Sequence, residues 1–216
     1  MKKYALREPI SDDLKNSLHS YSPLVQSLLV SRGIIDSVNA ELFLNPDYTS
    51  LHDPYLLKDM DKTVKRIFKA IKEDEKTAIF SDYDADGIPG AVVLYDFFKK
   101  IGFNNFVNYI PLRNEEGFGL NCEAIESLAK ENVKLLITID CGITDIVEVD
   151  CANKLGIDVI ITDHHTPLKK LPKAFAIINP KQKTCDYPEK MLCGSGVIFK
   201  VVQALIEDKK FAEKFD

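Results

Sequence analysis

Residues 77–87 read TAIFSDYDADG, an apolar run from Thr77 to Phe80 that passes almost at once into carboxylates at Asp82, Asp84 and Asp86. Like charges this close together repel, and an ordinary acidic loop scatters them in water. Placing them on alternate residues at the end of a strand calls for a counter-charge. Gly87 lets the backbone leave the strand tightly, and Pro89 suits the first turn of a helix, where a missing N–H costs nothing. The stretch therefore reads as strand, acid, helix.

The same texture continues outward. Further apolar runs occur at FVNYI (106–110), KLLITI (134–139), IDVIIT (157–162) and AFAII (174–178). GIPGAVVLYDFFKKIG, NCEAIESLAKE and TDIVEVDCANKLG lie between them, each long enough for a crossover helix. Strands that are apolar throughout and alternate with helices predict an α/β fold, a doubly wound and mainly parallel sheet with flanking helices. Before Thr77 the period is helical: SPLVQSLLVSRG ends on Gly33, SVNAELFLNP stops at Pro46, and DKTVKRIFKAIKEDE puts Val64, Ile67, Phe68 and Ile71 on one face. Residues 1–75 are expected to form a helical amino-terminal prelude, and residues 76–216 the sheet domain. Residues 45–60, rich in Asn, Pro, Asp and Tyr, connect the two.

The polar residues fall in a pattern. KLLITI runs into Asp140, and IDVIIT runs into Asp163, His164 and His165. With Asp82, Asp84 and Asp86, these sets lie at the carboxyl ends of strands, the edge where open parallel sheets bind ligands. One D-x-D is often only a turn or helix cap, and a lone histidine is usually structural, as His19 and His52 are expected to be. Three segments meeting at one edge are different. Carboxylate oxygens with imidazole nitrogens suit Mn²⁺, Mg²⁺ or Fe²⁺, and there are enough ligands for two ions. Paired ions activate water and clamp a phosphoryl group, so phosphoester hydrolysis is the expected chemistry.

Composition narrows the classes. The formal net charge of -5 argues against a generally basic nucleic-acid coat, so a phosphate-bearing partner must be held by local cations or metal. No apolar run reaches membrane-spanning length and the start lacks a signal-peptide core, which predicts a cytoplasmic protein with no membrane contact. The five cysteines form no C-x-x-C pair, which fits reduced thiols rather than zinc or a disulfide framework.

DYDADG, the aspartate of TIDCG and the tripeptide Asp163–His165 together resemble the DHH phosphoesterase superfamily. Within it, SDYDADGIPGAVVL, YIPLRNEEGFGLN, LLITIDCGITD, VIITDHHTP, AIINPKQ and LCGSGVIFK, in this order, are similar to the RecJ-type single-strand-specific exonucleases. The prelude segments VSRGI and AELFLNP extend the similarity over nearly the whole chain.

The resemblance implies a 5′-to-3′ exonuclease on single-stranded DNA, active in repair and recombination and using two Mn²⁺ or Mg²⁺ ions. Asp84 and Asp86 match ligands of separate metals, Asp140 a bridging carboxylate and His164 a ligating imidazole. Asp82 matches a further position at the metal site. His165 matches a position expected to contact the scissile phosphate, and Asp163 one that orients a histidine from behind. Arg113 is expected either to reach a substrate phosphate or to be an exposed structural arginine. The N–H groups of Gly194, Ser195 and Gly196 are expected either to bind phosphate or simply to open a helix. Lys181 and Lys183 read as solvated. Single-strand-binding protein and a helicase are the partners the family suggests.

Two departures stand out. Several DHH phosphatases carry a histidine four residues before the first ligating aspartate, and Phe80 stands there, so one metal is expected to have fewer protein ligands. The family also continues, beyond the position of Asp216, with another metal-binding aspartate and a nucleic-acid-binding domain. The chain is thus expected to be the amino-terminal catalytic part of a larger enzyme and a weak nuclease alone. A nanoRNA hydrolase or small-substrate phosphatase, and a non-catalytic scaffold, remain as alternatives.

Overall fold

The protein, seen in a computed structural model, is described over residues 8–207. It divides into two compact units, Met1–Leu51 and His52–Asp216.

In the first unit, helices α1 (Asp12–Ser17), α2 (Pro23–Val30) and α3 (Ser37–Leu44) surround a small core of Leu18, Leu29 and Ala40. The helix starts are written in the sequence. Pro23 opens α2, and the Asp36 carboxylate accepts the Asn39 N–H to cap α3. Gly33, at φ +78°, turns the chain after α2. His19 is engaged locally, with Nδ1 2.9 Å from the carbonyl oxygen of Asn16.

The second unit begins with a helix that the period-based reading assigned to the prelude. Helix α4 (Met60–Glu73) buries Val64, Ile67 and Ala70 in the core of the sheet unit. Its buried Arg66 reaches Asp158 (Nε–Oδ2, 2.6 Å) and Glu75 (Nη1–Oε2, 2.7 Å). Periodicity shows that a helix has an apolar face; it does not show which core that face meets.

Five parallel strands follow, β1 (Thr77–Ser81), β2 (Phe106–Tyr109), β3 (Leu135–Ile139), β4 (Asp158–Thr162) and β5 (Ala176–Ile178), in the order β2-β1-β3-β4-β5. Strand side chains alternate between two cores. Ile79, Ile137 and Ile160 face α4, α5 (Gly87–Ile101) and α8 (Gly194–Glu207). Phe80, Leu136 and Ile161 face α6 (Cys122–Lys130) and α7 (Ile146–Lys154). Helices on both faces explain why the strands carry no polar face, and the predicted doubly wound parallel fold is the one present. Phe80, at the position noted above, is fully buried and stacks on Tyr109 with ring centroids 5.1 Å apart.

This strand order has a consequence for function. The chain passes from β1 outward to β2, then crosses back over β1 to β3 and proceeds to the other side. The crevice beyond the carboxyl ends of β1 and β3 is the topological switch point, where such sheets bind ligands. Asp82 and Asp84 follow β1, and Asp140 follows β3.

Candidate metal centre

At the end of β3 the chain adopts a conformation that few side chains tolerate. Asp140 has φ +62°, in the left-handed region, and its N–H donates to Thr162 O (2.9 Å). Aspartate accepts that region better than most residues. Gly194 opens α8 directly above it. A Cβ at Gly194 would lie 2.4 Å from Asp140 Oδ1, so only glycine lets the helix end come so close.

One oxygen each of Asp82, Asp84 and Asp140 lie within 4.8 Å of one another, and so do ligand atoms of Asp140, His164 and His165. Asp140 is common to both sets. His164 Nε2 stands 3.1 Å from Asp140 Oδ1 and 3.6 Å from Asp86 Oδ2. Asp140 Oδ1 is buried and, even with the His164 imidazole beside it, accepts no well-formed hydrogen bond, a costly state for a carboxylate oxygen. Its carboxyl is pushed up to about 7, by burial first and then by the charges of Asp86 and Asp84, with His165 partly opposing. A protonated or cation-bound Asp140 relieves both problems. The hard oxygen donors with two imidazoles fit a divalent ion of the Mg²⁺ or Mn²⁺ kind.

The remaining predicted residues are placed less uniformly. Asp163 is almost wholly buried and fully engaged: Oδ2 accepts the Ile143 N–H, and Oδ1 accepts the N–H groups of His164 and His165. The same Oδ1 lies 2.8 Å from His165 Nδ1. Both of its oxygens are thus taken up by the turns that carry Ile143 and the histidines. His165 is raised above its ordinary pKa: burial lowers it, but Asp163 and Asp140 outweigh that. Asp84 Oδ1 accepts the N–H groups of Asp86 and Gly87, fastening the start of α5.

Asp86 is absent from both ligand sets. Its carboxylate accepts the N–H groups of Gly194 (2.6 Å) and Ser195 (2.7 Å), and burial, which raises the carboxyl, is outweighed by these bonds so that its pKa falls. The Gly196 N–H points at Cys193 Sγ. The GSG turn thus does meet an anion at a helix N-terminus, but that anion is the chain's own.

Arg113 sits at the rim, its guanidinium 5.3 Å from the Tyr83 ring centroid, and Tyr83 packs on Phe118 at 5.3 Å. Phe118 is 72% exposed and lines the acidic pocket with Asp82, Asp84 and Asp140. Neither aromatic was singled out from sequence; the available signal was a ring inside DYD and another inside GFG, both beside chemistry-bearing residues.

The N-terminal domain of the DHH family matches residues 76–215. The chain belongs to the DHH family. It is 41% identical over 208 residues to the single-stranded-DNA-specific exonuclease RecJ of Bacillus subtilis, a match that covers 94% of this chain and 26% of that protein. Among solved structures, exonuclease RecJ bound to manganese aligns with a TM-score of 0.64 at 34% identity, covering 70% of this chain and 38% of that one. RecJ of Thermus thermophilus in complex with Mn²⁺ aligns at 0.70 and 28% identity, covering 90% and 26%. The chain therefore spans about a quarter to a third of the length of its curated RecJ relatives. In this DHH domain the tripeptide that gives the family its name divides its work: Asp163 fixes the turn, and the two imidazoles face Asp140.

Proposed function

We propose that this chain is the metal-dependent hydrolytic part of a 5′-to-3′ exonuclease for single-stranded DNA, working in DNA repair and recombination. The observation that carries the reading is the buried Asp140 carboxylate, whose Oδ1 accepts no well-formed hydrogen bond, between two candidate ligand sets at the switch point of a DHH domain. Two divalent ions, Mn²⁺ or Mg²⁺, would be held by Asp82, Asp84, Asp140 and His164, with Asp86 joining them if its carboxylate turned from the α8 terminus. When bound, the ions stabilise charge on the phosphoryl oxygens and make water acidic enough to attack at neutral pH.

The chain's own residues do the positioning. Asp163 accepts from His165 Nδ1 and so leaves Nε2 for a phosphate oxygen. Asp86, tied to Gly194 and Ser195, holds the α8 terminus against Asp140. Arg113 supplies a planar cation for phosphate, and Phe118 on Tyr83 offers a face on which a base stacks. That rim favours a strand of nucleotides over a small phosphate ester. Single-strand-binding protein and a helicase are proposed partners. A cytoplasmic location is proposed as well; among the described residues no helix is long and apolar enough to cross a membrane. Because the chain corresponds to about a quarter of the Bacillus relative, it is expected to be a weak nuclease alone.

The test is digestion of a single strand of about thirty nucleotides, a length that covers several single-strand site sizes, labelled at either end. With Mn²⁺ and ample protein, 5′ label should appear first as mononucleotide, and chelator should stop it. Earlier release of the 3′ label, or equal attack on duplex, would overturn the proposed polarity or strand choice.

A further inference from the structure

Beside the acidic centre lies its electrostatic opposite. A cleft of 640 Å³ is lined by Lys58, Lys169, Lys181 and Lys183 around an apolar floor that includes Pro167 and Leu171, with no carboxylate in its wall. Among the described residues, none of the four lysines has a carboxylate within ion-pair distance. In a chain with 33 acidic and 28 basic residues, four unpaired ammonium groups around one cleft are not an average surface. A wall with this balance of charge suits an anion that carries several charges.

The cleft is also physically joined to the candidate centre. Thr166, in its wall, follows His165 directly. Asn179 links the two sides: its Oδ1 accepts the Lys181 N–H (2.8 Å), and its Nδ2 donates to His165 O (2.9 Å). Lys58 Nζ donates to Thr184 Oγ1 (2.8 Å), fixing the opposite rim.

We infer that this lysine cleft is a track for the phosphodiester backbone of the same single strand whose end occupies the metal centre. The inference rests on the nuclease reading above for what the strand is doing there. A polyanion is the one occupant that places a phosphoryl group at the acidic centre and further phosphates in the neighbouring basic cleft. The apolar floor suits deoxyribose and base edges. The track also supplies the local cations that the acidic overall balance lacks.

The test uses the full chain with Mg²⁺ and a phosphorothioate-linked strand of about twenty nucleotides, enough to span one or more single-strand sites. Fluorescence anisotropy gives affinity against salt for the wild type and for the Lys169→Gln, Lys183→Gln double variant. Each lost phosphate contact should lower the log–log slope by about 0.7, so the double variant should fall by a little over 1. Dinucleotide hydrolysis should not change, because the single phosphodiester of that substrate is the one at the metal centre. Equal slopes overturn the track, as does a wild-type chain that fails to bind at low salt. A mononucleotide showing the same charge dependence overturns the strand assignment. The two ideas separate cleanly: a reduced slope with no Mn²⁺-dependent release of mononucleotide from an unmodified strand by either protein keeps the track and sinks the nuclease reading, whereas release with equal slopes does the reverse.

Discussion

The Asp86 carboxylate caps a helix that begins 108 residues later in the chain, with Oδ1 2.7 Å from the Ser195 N–H and Oδ2 2.6 Å from that of Gly194. This bond joins the end of the β1 loop to α8 across Asp140. It gives Asp86 a structural duty apart from any metal. Asp86→Ala should therefore lower stability by about 1–2 kcal/mol even with chelator present, the usual cost of losing a helix cap. A further loss seen only with Mn²⁺ would mark its proposed ligand role. Thermal unfolding in the two conditions separates these contributions, and unchanged melting in chelator would remove the cap argument.

Metal should matter more at alkaline pH. The Asp140 carboxyl, ordinarily at 3.8, is raised to about 7 in the folded chain without metal. The folded state then binds more protons than the unfolded state between those values, so stability falls as pH rises through that window, by at most about 4 kcal/mol. His165, also raised, acts in the same direction, since its contribution is present at low pH and lost as pH rises through its folded value. Asp86, lowered, contributes stability above its ordinary value that disappears only in acid. The rise in Tm on adding Mn²⁺ should thus be larger at pH 8 than at pH 6. Equal rises would contradict the protonation argument.

Asp140→Asn should separate fold from chemistry. Asparagine tolerates the left-handed backbone and keeps the shape while removing the buried charge. In chelator at pH 8 the variant should be more stable than the wild type by about 1–3 kcal/mol, because the carboxylate repulsion is relieved. Hydrolysis at saturating Mn²⁺ should be lost. Retained turnover would take Asp140 out of the mechanism.

Phe118→Ala tests the rim. An exposed ring contributes little to the fold, so melting should hardly change. Losing one stacking surface should cost about 1–3 kcal/mol of strand binding, read as a roughly tenfold rise in KM with kcat nearly kept. A fall in kcat alone would place Phe118 elsewhere in the reaction.

Arg66→Ala should destabilise the sheet unit by about 2–3 kcal/mol, since it leaves Glu75 and Asp158 without their shared cation beneath α4. Denaturant unfolding measures this directly, and a change within about 0.5 kcal/mol, the ordinary range for an uninvolved surface residue, would show that the pairs contribute little.

Much of this protein was legible from local pattern. Apolar runs without a polar face pointed to strands covered on both sides; β2 to β5 lie within the runs expected, and β1 continues one residue past its own, to Ser81. Asp82, Asp84, Asp140, His164 and His165 were singled out because they stand at or just past strand ends, and strand ends in a parallel sheet share one edge. The family resemblance, rather than local order, implied that Asp163 stands behind a histidine. What local order does not carry is any distance between segments far apart in sequence. That α4 belongs with the sheet follows from Val64 and Ile67 meeting a core assembled from later strands. The GSG turn is closed by Asp86 because Gly194 lets α8 approach Asp140, a fit decided by the absence of a Cβ. The lysines of one cleft come from residue 58 and from residues 169–183. Lys181 and Lys183 read as solvated in the sequence, and only folding places them around the same space as Lys58 and Lys169.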